Sequence, residues 1–437
     1  MTIFRNGGVA LSSALGGLAL AWPGAAQAEE LNQAANAWMM TSTALVLFMN
    51  IPALALFYGG LVRAKNVLSV MMHCFAITCV ISVLWLIYGY SVAFGDGGTQ
   101  QALWGGLGKA FHAGVGVEAV KSGISETVYS MFQLTFAIIT PALVAGGFAE
   151  RIRFSAVLIF TVVWFTLVYL PLCHWVWGGG WLQTMGFNDF AGGSVVHINA
   201  GVAALTAAVM MGRRKGFPHT AFLPHNLTFT YIGAAMLWVG WFGFNGGSAV
   251  AANGNAGMAI MATHMAAAGG SLTWMLMEWV RHGKPSVLGI VTGMVAGLGT
   301  VTPASGFIGP LGGLIIGLMA GVLCYWATHI IKRKLFIDDS LDVFPVHGVG
   351  GIFGTLLTGV FAAPALGGLG YAEGVTMASQ VGVQAIGAVT TIGVSVAGSW
   401  VAFKAADLLT GLRVNLEQET EGLDLVLHDE RGYNLEY

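Results

Sequence analysis

The amino-acid sequence predicts an all-α polytopic membrane protein with eleven transmembrane helices: an inverted repeat of five plus five helices and one bracing helix. Three observations support this class. The chain has 437 residues, 56% hydrophobic and only 9% charged, which is too little charge to cover a soluble protein of this length. Apolar stretches of about 20 residues, the length that spans a bilayer, recur along the chain. The loops between them alternate between basic and nearly uncharged.

Residues 1–28 have the pattern of a cleaved secretory signal peptide. Arg5 supplies the positive start, a short apolar core follows, and Ala26-Gln27-Ala28 resembles a cleavage site. The alternative is a retained extra helix, which Pro23 would leave too short to span a membrane. We expect cleavage after residue 28.

The predicted transmembrane domain covers 29–408, and a polar tail, 409–437, follows it. Its repeat halves are about 38–212 and 226–363, and the last span lies outside the repeat and would brace it. The eleven predicted spans are 38–62, 67–94, 125–148, 154–176, 190–211, 226–248, 255–280, 285–302, 306–331, 343–363 and 376–407.

Charge in the connecting loops orients the chain. Every second loop is basic, and these loops hold twelve cations: Arg63, Lys65, Arg151, Arg153, Arg213, Arg214, Lys215, Arg281, Lys284, Lys332, Arg333 and Lys334. The only cationic residues in the alternate loops are Lys109 and Lys121. Because basic loops stay in the cytoplasm, the mature N-terminus is predicted outside and the C-terminus inside.

Spans five and ten correspond in the inverted repeat, and each carries a histidine eight residues after an aspartate. These are His197 after Asp189 and His347 after Asp339. Eight helical residues reach about 12 Å into the membrane, and the two spans enter from opposite faces. Both rings are therefore expected near the midplane, at one central point that we take to be the functional site.

An ionisable group inside a span is costly and is a functional candidate by default. For His264 and His73 we favour the other interpretation, a neutral ring bonded to a backbone carbonyl. For His197 and His347 the repeat favours function. Two neutral imidazoles can share one hydrogen bond and leave each outer nitrogen facing a pore, which suits a small uncharged hydrogen-bonding solute and disfavours a bare cation.

Two residues near the outer surface are further candidates. Asp189 is interpreted either as a helix N-cap or as a negative field that favours a cation, and both readings can hold at once. Most outer aromatic residues fit an interfacial belt. Trp177 is the exception, because Gly178-Gly179-Gly180 opens the backbone beside it. A tryptophan face can hold a desolvated cation by about 2 kcal/mol.

Other classes of function find little support. The sequence has no G-x-x-x-x-G-K-[ST], G-x-S-x-G or H-E-x-x-H motif, so we expect no enzyme, cofactor or metal. An intramembrane metal enzyme that used the two histidines would lack a third ligand. The balance of 18 Lys+Arg against 20 Asp+Glu argues against a nucleic-acid partner.

Several motifs in order resemble the ammonium transporter family (Amt/Mep/Rh), and its bacterial Amt branch in particular. They are the two histidine segments, Ala55-Leu56-Phe57-Tyr58-Gly59-Gly60-Leu61, Ala149-Glu150-Arg151-Ile152-Arg153-Phe154-Ser155 and Trp241-Phe242-Gly243-Phe244-Asn245. The resemblance runs from about Trp38 to the last residue. It implies eleven spans in two inverted halves, a pore through each subunit, and a homotrimer among the lipids of the bacterial inner membrane.

The resemblance also implies a substrate and an outer binding site. Ammonium, with methylammonium as a further candidate, is expected at a vestibule formed by Trp177, Phe132 and the hydroxyl of Ser248. Asp189 would support this site. Ammonium would lose water there and then give up its proton, since a charged solute is costly in an apolar lumen.

The pore is expected to begin at a gate of two stacked rings, Phe132 and Phe244. Below the gate it would narrow past Trp241 to His197 and His347, where ammonia would be hydrogen-bonded. Two prolines depart from the family pattern. Pro141 is expected to kink the third span, and Pro345 lies just before the second histidine.

The tail 409–437 resembles the cytoplasmic C-terminal region of the family. This implies contact with a PII-type nitrogen-signalling protein at the cytoplasmic face, and the alternative is an ordinary polar tail. An ammonium sensor without net flux is the alternative function. Such sensors usually carry an added signalling domain, which this short tail does not offer.

Overall fold

The computed structural model describes residues 30–434, so the predicted signal peptide lies outside the described residues. The described chain is mainly helical. The long helices are α1 Gln33–Leu61, α2 Ala64–Phe94, α3 Glu126–Phe148, α4 Phe154–Thr184, α5 Gly193–Met211, α6 Leu227–Gly247, α7 Gly254–His282, α8 Val287–Val301, α9 Pro310–Lys334, α10 Phe344–Phe361 and α11 Met377–Thr410. Two short helices, α12 Leu416–Glu421 and α13 Leu423–His428, follow in the tail.

Within residues 30–434, nine helices are long and apolar enough to cross a membrane. The two others are α8, which is apolar but only 15 residues long, and α7, which has 29 residues but includes polar side chains such as Asn255 and His264. The all-α membrane class is confirmed, and the number of eleven spans stays a prediction. The helices overlap the predicted spans, with ends that differ by a few residues.

A small hairpin precedes α3 and sets where it begins. Strand β1, Val120–Lys121, pairs antiparallel with β2, Ile124–Ser125. The N–H of Ser125 donates to Asn36 Oδ1 of α1 at 3.1 Å, so the start of α3 is tied to α1. Helix α3 then continues through Pro141 to Phe148.

The histidine-bearing helices α5 and α10 cross at very close range. Both open with a π-helical turn, Gly193–Ile198 in α5 and Phe344–Val349 in α10. Such wide turns are frequent at functional sites. A Cβ on Gly201 would lie 2.3 Å from the backbone nitrogen of Gly348, so a glycine at position 201 is what permits this contact. Small residues let helix backbones approach closely in membrane proteins generally.

Helix α11 packs across the outside of this crossing. Its Ser395 Oγ donates to the carbonyl of Asn199 in α5 at 2.9 Å. Its Gln384 Nε2 donates to the carbonyl of Thr355 in α10 at 3.0 Å. Because α11 bonds to both histidine-bearing helices, it holds their relative position, which is the part predicted for the bracing helix.

A buried charge cluster joins four loops on the side of the basic connections. Arg214 Nη1 lies 2.6 Å from Glu150 Oε2, and its Nη2 lies 2.7 Å from Asp338 Oδ1. Arg63 Nε lies 2.9 Å from Glu150 Oε1. Burial alone would raise the pKa of Glu150, but the charges of Arg214 and Arg63 outweigh it and hold that pKa at about 2. The carboxylate is therefore ionised and paired at neutral pH.

The tail folds back over the same loops. Asp424 of α13 accepts the backbone N–H groups of Leu68 at 3.0 Å and Ser69 at 2.8 Å. The hydroxyl of Tyr433 lies 2.9 Å from His225 Nε2. The tail up to residue 434 is thus packed against the protein face that carries the basic residues.

Candidate functional site

The crossing of α5 and α10 brings His197 and His347 together. Their Nδ1 atoms are 3.1 Å apart, and the two rings are nearly parallel, with an interplanar angle of 10°. Both side chains are buried, at 1% and 4% exposure. At this distance one Nδ1 carries the shared proton and the other accepts it. The two residues therefore form one hydrogen-bonded unit.

Aromatic rings enclose the His197 side of this unit. The ring of Trp241 stacks on His197 with centroids 5.5 Å apart and planes 13° apart. Trp241 Nε1 donates to Thr302 Oγ1 at 2.9 Å, which satisfies the indole and fixes its orientation. Phe244 packs 6.2 Å from His197. These contacts place an aromatic wall along the path toward the histidines.

A small chamber lies between the aromatic rings and the histidine pair. Its volume is about 10 Å³, close to the space that one water-sized molecule needs. Apart from the imidazoles and the indole, its lining is apolar: Met49, Leu54, Phe57, Ile139, Leu143, Val196, Leu237, Phe244 and Val295. A solute in this chamber finds hydrogen bonds only at the histidine side.

The ring that packs against Phe244 is Phe136 rather than Phe132. The centroids of Phe136 and Phe244 are 4.3 Å apart. Phe132 packs edge-on against Phe136 at 5.0 Å, one turn nearer the start of α3. Phe132 is the ring expected in the stack from the sequence, and no sequence pattern singled out Phe136. The available signal was the spacing of four residues, which puts both rings on one face of α3.

The candidate vestibule residues contact Phe136 or the neighbouring Phe244. Trp177 packs edge-on against Phe136 with centroids 5.6 Å apart, and it is half-buried. Ser248 Oγ donates to the carbonyl of Phe244 at 2.8 Å, so its lone pairs stay free to accept a hydrogen bond. Phe132 and Trp177 therefore both pack on Phe136, and Ser248 is bonded to the backbone of Phe244, the ring against which Phe136 packs.

Asp189 organises the backbone beneath this vestibule. Its Oδ1 accepts N–H groups from Gly192 and Gly193, and its Oδ2 accepts from Ser194 and Val195, at 2.6 to 3.2 Å. The carboxylate is 5% exposed. This is helix capping, the first of the two readings of Asp189. Trp177 Nε1 donates to the backbone carbonyl of Asp189 at 2.8 Å, so the cap also orients the tryptophan.

A wider cavity begins at His347 on the opposite side of the pair. It has a volume of about 220 Å³ and is lined in part by Tyr58, Lys332, Asp342 and Thr292. A second cavity of about 620 Å³, lined in part by the charge cluster, shares Leu61, Phe222, Lys332, Ser340 and Leu341 with the first. His347 thus lines both the small chamber and the inner cavity.

The pair can offer complementary hydrogen bonds to a neutral solute. If one Nδ1 carries the shared proton, the Nε2 of that ring is an acceptor and the Nε2 of the other ring is a donor. Within residues 30–434, His197 Nε2 is buried without a hydrogen-bond partner. A small molecule that both donates and accepts hydrogen bonds fits this arrangement. A potassium ion can do neither.

Comparison with known proteins gives the family. A model of the Ammonium Transporter Family matches residues 37–433. The chain is 44% identical over 394 residues to the ammonium transporter of Bacillus subtilis, covering 89% of this chain and 96% of that protein. It is 45% identical over 411 residues to the ammonium transporter of Aquifex aeolicus, covering 93% and 95%.

Solved structures agree with these relatives. A Sensor Amt Protein superposes with a TM-score of 0.84 at 29% identity, covering 90% of this chain and 98% of that one. Saccharomyces cerevisiae Mep2 superposes with a TM-score of 0.81 at 32% identity, covering 89% of each. Because sequence and fold match over most of the chain, this protein belongs to the ammonium transporter family.

Proposed function

We propose that the protein transports ammonium across the bacterial inner membrane, with ammonia as the species that passes the centre of the pore. One observation carries this proposal: a chamber for one small molecule, apolar except at the paired imidazoles of His197 and His347. A charged solute pays a large desolvation cost in such a place, whereas a neutral amine does not. Methylammonium is a second candidate substrate.

Capture begins at the vestibule of Trp177, Phe132 and Ser248, with Phe136 below them. The aromatic faces attract a cation, and Ser248 Oγ, which donates to the carbonyl of Phe244, accepts a hydrogen bond from ammonium. Asp189 supports the vestibule through Trp177. Potassium meets the same aromatic faces but donates no hydrogen bond.

Passage then requires the gate to open. We assign the gate to Phe136 and Phe244 instead of Phe132 and Phe244, because Phe136 is the ring that packs on Phe244. Ammonium loses its proton before the chamber, ammonia passes Trp241, and the histidine pair replaces the hydrogen bonds of the lost water. The pair also relays the released proton inward.

Proteoliposomes test the proposal directly. Purified protein on a solid-supported membrane should give a current in an inward ammonium gradient, with little response to an equal potassium gradient. Liposomes without protein serve as the control. A sensor without net flux would give neither a current nor a change in internal pH, and that result would overturn the proposal.

We expect Trp177→Leu to weaken capture. Loss of a partly desolvated cation–π contact of about 1–2 kcal/mol raises the half-saturating ammonium concentration roughly tenfold. The matched control is Trp175→Leu, because Trp175 packs on Trp181 and donates to the carbonyl of Leu103 instead. Equal half-saturating concentrations for the two variants would contradict the role of Trp177.

Assembly and orientation follow from the family and the loop charges. We propose a homotrimer in which each subunit has its own pore, a cleaved segment 1–28, a periplasmic mature N-terminus and a cytoplasmic tail 409–437. The tail packs on the face of the basic loops, which supports a cytoplasmic position. A PII-type protein is the proposed partner at this face.

A further inference from the structure

Asp189 and Asp339 occupy equivalent positions, each eight residues before a pore histidine. Their hydrogen bonding differs. Asp189 receives four backbone N–H groups, from the residues three, four, five and six positions further on. This number of donors stabilises a buried carboxylate in its charged form.

Asp339 receives fewer backbone donors, mainly the N–H of Phe344 and, more weakly, that of Val343, four positions on. Its Oδ2 accepts the N–H of Phe344, five positions on, at 2.7 Å. The residue six positions on is Pro345, which has no N–H to give. The residue three positions on, Asp342, turns its N–H toward the Asp339 carbonyl at 3.4 Å. In the described part of the chain, Asp339 Oδ1 is buried without a hydrogen-bond partner, and the side chain is 0% exposed.

The turn that holds the Asp339 carboxyl lies at the inner end of the proposed pore. Asp342, in the same turn, lines the cavity that begins at His347. Its Oδ2 pairs with Lys332 Nζ at 2.7 Å. Its Oδ1, like that of Asp339, is buried without a partner within residues 30–434. Two carboxyl groups, that of Asp339 fully buried and that of Asp342 half-buried, therefore share one turn, and Lys332 pairs with the second.

Burial and the charges around Asp339 make this carboxyl easy to protonate. Burial, and next the charge of Asp342, raise the pKa of Asp339 to about 6, against the smaller opposing effects of the Phe344 N–H, of Lys332 and of the Val343 N–H. Three more groups face this carboxyl or its turn. They are the hydroxyl of Tyr58 in α1, the guanidinium of Arg151, and Asp338, which is neutralised by Arg214. Arg151 donates its hydrogen bonds to Ser340 Oγ and to backbone carbonyls.

We propose that Asp339 and Asp342 form a protonatable carboxyl pair that returns a proton to ammonia at the inner end of the pore. The proposal rests on the transport function proposed above. In this proposal the two equivalent aspartates differ in whether they exchange a proton. At Asp189 four backbone N–H groups oppose the effect of burial, which raises the pKa, whereas Asp339 exchanges a proton because Pro345 has removed one of its donors.

The step is a simple proton transfer. The O–H bond of the protonated carboxyl breaks, its electron pair stays on the carboxylate, and the proton bonds to the lone pair of ammonia. Amines are far stronger bases than carboxylates, with pKa values of about 10 against about 4, so the transfer is downhill. The ammonium formed is attracted to the carboxylates before it leaves. The proton released outside and relayed inward by the histidines restores the pair.

Infrared spectroscopy tests this without relying on transport. The full-length protein in lipid is titrated between about pH 4 and about pH 8, and the carbonyl band of protonated carboxyl groups is followed. The wild type should show a band that titrates near pH 6. Asp339→Asn keeps an acceptor for the Phe344 N–H and should remove the band. Pro345→Ala restores the missing N–H and should lower the midpoint by about one unit, the worth of one hydrogen bond to a charged group.

Pro310→Ala is the matched control, because Pro310 begins α9 and a substitution there also adds one backbone N–H. It should leave the midpoint unchanged. In proteoliposomes, Asp339→Asn should lower the ammonium current by about a hundredfold, the lower end of the usual general acid–base effect.

A band that survives in Asp339→Asn, or a midpoint unmoved in Pro345→Ala, overturns the proposal. A wild-type current in Asp339→Asn overturns it as well. A wild type with no ammonium current would instead refute the proposed transport function, while the infrared titration would still report on the carboxyl pair.

Discussion

Replacing His197 by alanine should lower the ammonium-dependent current by about tenfold to a hundredfold. The variant leaves His347 Nδ1 without its partner at 3.1 Å, and an unsatisfied buried polar group costs about 1–3 kcal/mol. Ammonia in the chamber also loses one of the two imidazoles that replace its water. Current in proteoliposomes, measured for ammonium and for potassium, checks both rate and selectivity.

A double-mutant cycle shows whether the two rings act as one unit. If they do, His347→Ala and the double variant should be about as slow as His197→Ala, since the effects of coupled residues are not additive. His264→Ala is the matched control, because His264 is exposed on α7 and contacts Trp238 and Phe242 away from the pair. Unchanged current and unchanged selectivity in His197→Ala would defeat the proposed role.

Arg214→Ala should be the most destabilising substitution outside the pore, by about 3–5 kcal/mol, because it leaves buried carboxylates unpaired. Arg214 is 5% exposed, and its partners Glu150 and Asp338 are 1% or less exposed. The midpoint of thermal unfolding in detergent is the measurement. Adding Glu150→Gln to the variant should recover part of the loss, since one of the unpaired charges is then removed.

Lys404→Ala is the control for this prediction. Lys404 and Asp407 form an exposed pair at 3.8 Å, of a kind that contributes about 1 kcal/mol at most. An Arg214→Ala midpoint equal to that of Lys404→Ala would show that the buried cluster is not needed for stability. Since Asp338 precedes Asp339 and α10, we also expect Arg214→Ala to disturb the inner end of the pore.

The same cluster makes stability depend on pH in the acid range. The pKa of Glu150 is about 2 in the folded protein and about 4 in an unfolded chain. The folded pKa is the lower one, so ionisation of Glu150 stabilises the fold above about pH 4. This contribution is lost as the pH falls from about 4 to about 2, and Glu150→Gln should make the melting midpoint less sensitive to pH over that window.

The membrane class and the helix positions could be predicted from sequence because transfer into lipid is a local property. A run of about 20 apolar residues is favourable in the bilayer whatever its neighbours are. The pore histidines stood out for the same reason, since an ionisable group at membrane depth conflicts with its own surroundings. The same spacing from aspartate to histidine, Asp189 to His197 and Asp339 to His347, then indicated that both histidines belong to one site.

Which ring of α3 packs against Phe244 depended on tertiary packing. Phe132 and Phe136 lie four residues apart, on one face of α3, and hydropathy and periodicity treat them alike. Only the distance between α3 and α6 decides that Phe136 meets Phe244 at 4.3 Å. The same holds for Trp241, whose indole is fixed by Thr302, a residue 61 positions away that no motif singled out.

The sequence by itself determined that the protein is a helical membrane protein, which loops carry the positive charge, and that two segments each bring an aspartate and a histidine eight residues apart. The tertiary structure decided what those equivalent residues do. At Asp189 four backbone N–H groups converge on the carboxylate. At Asp339, Pro345 has no N–H and the Asp342 N–H points to a backbone carbonyl, so Oδ1 has no hydrogen-bond partner within residues 30–434. Hydrogen-bond geometry is set by how the backbone turns, and a pattern of residue types does not contain it.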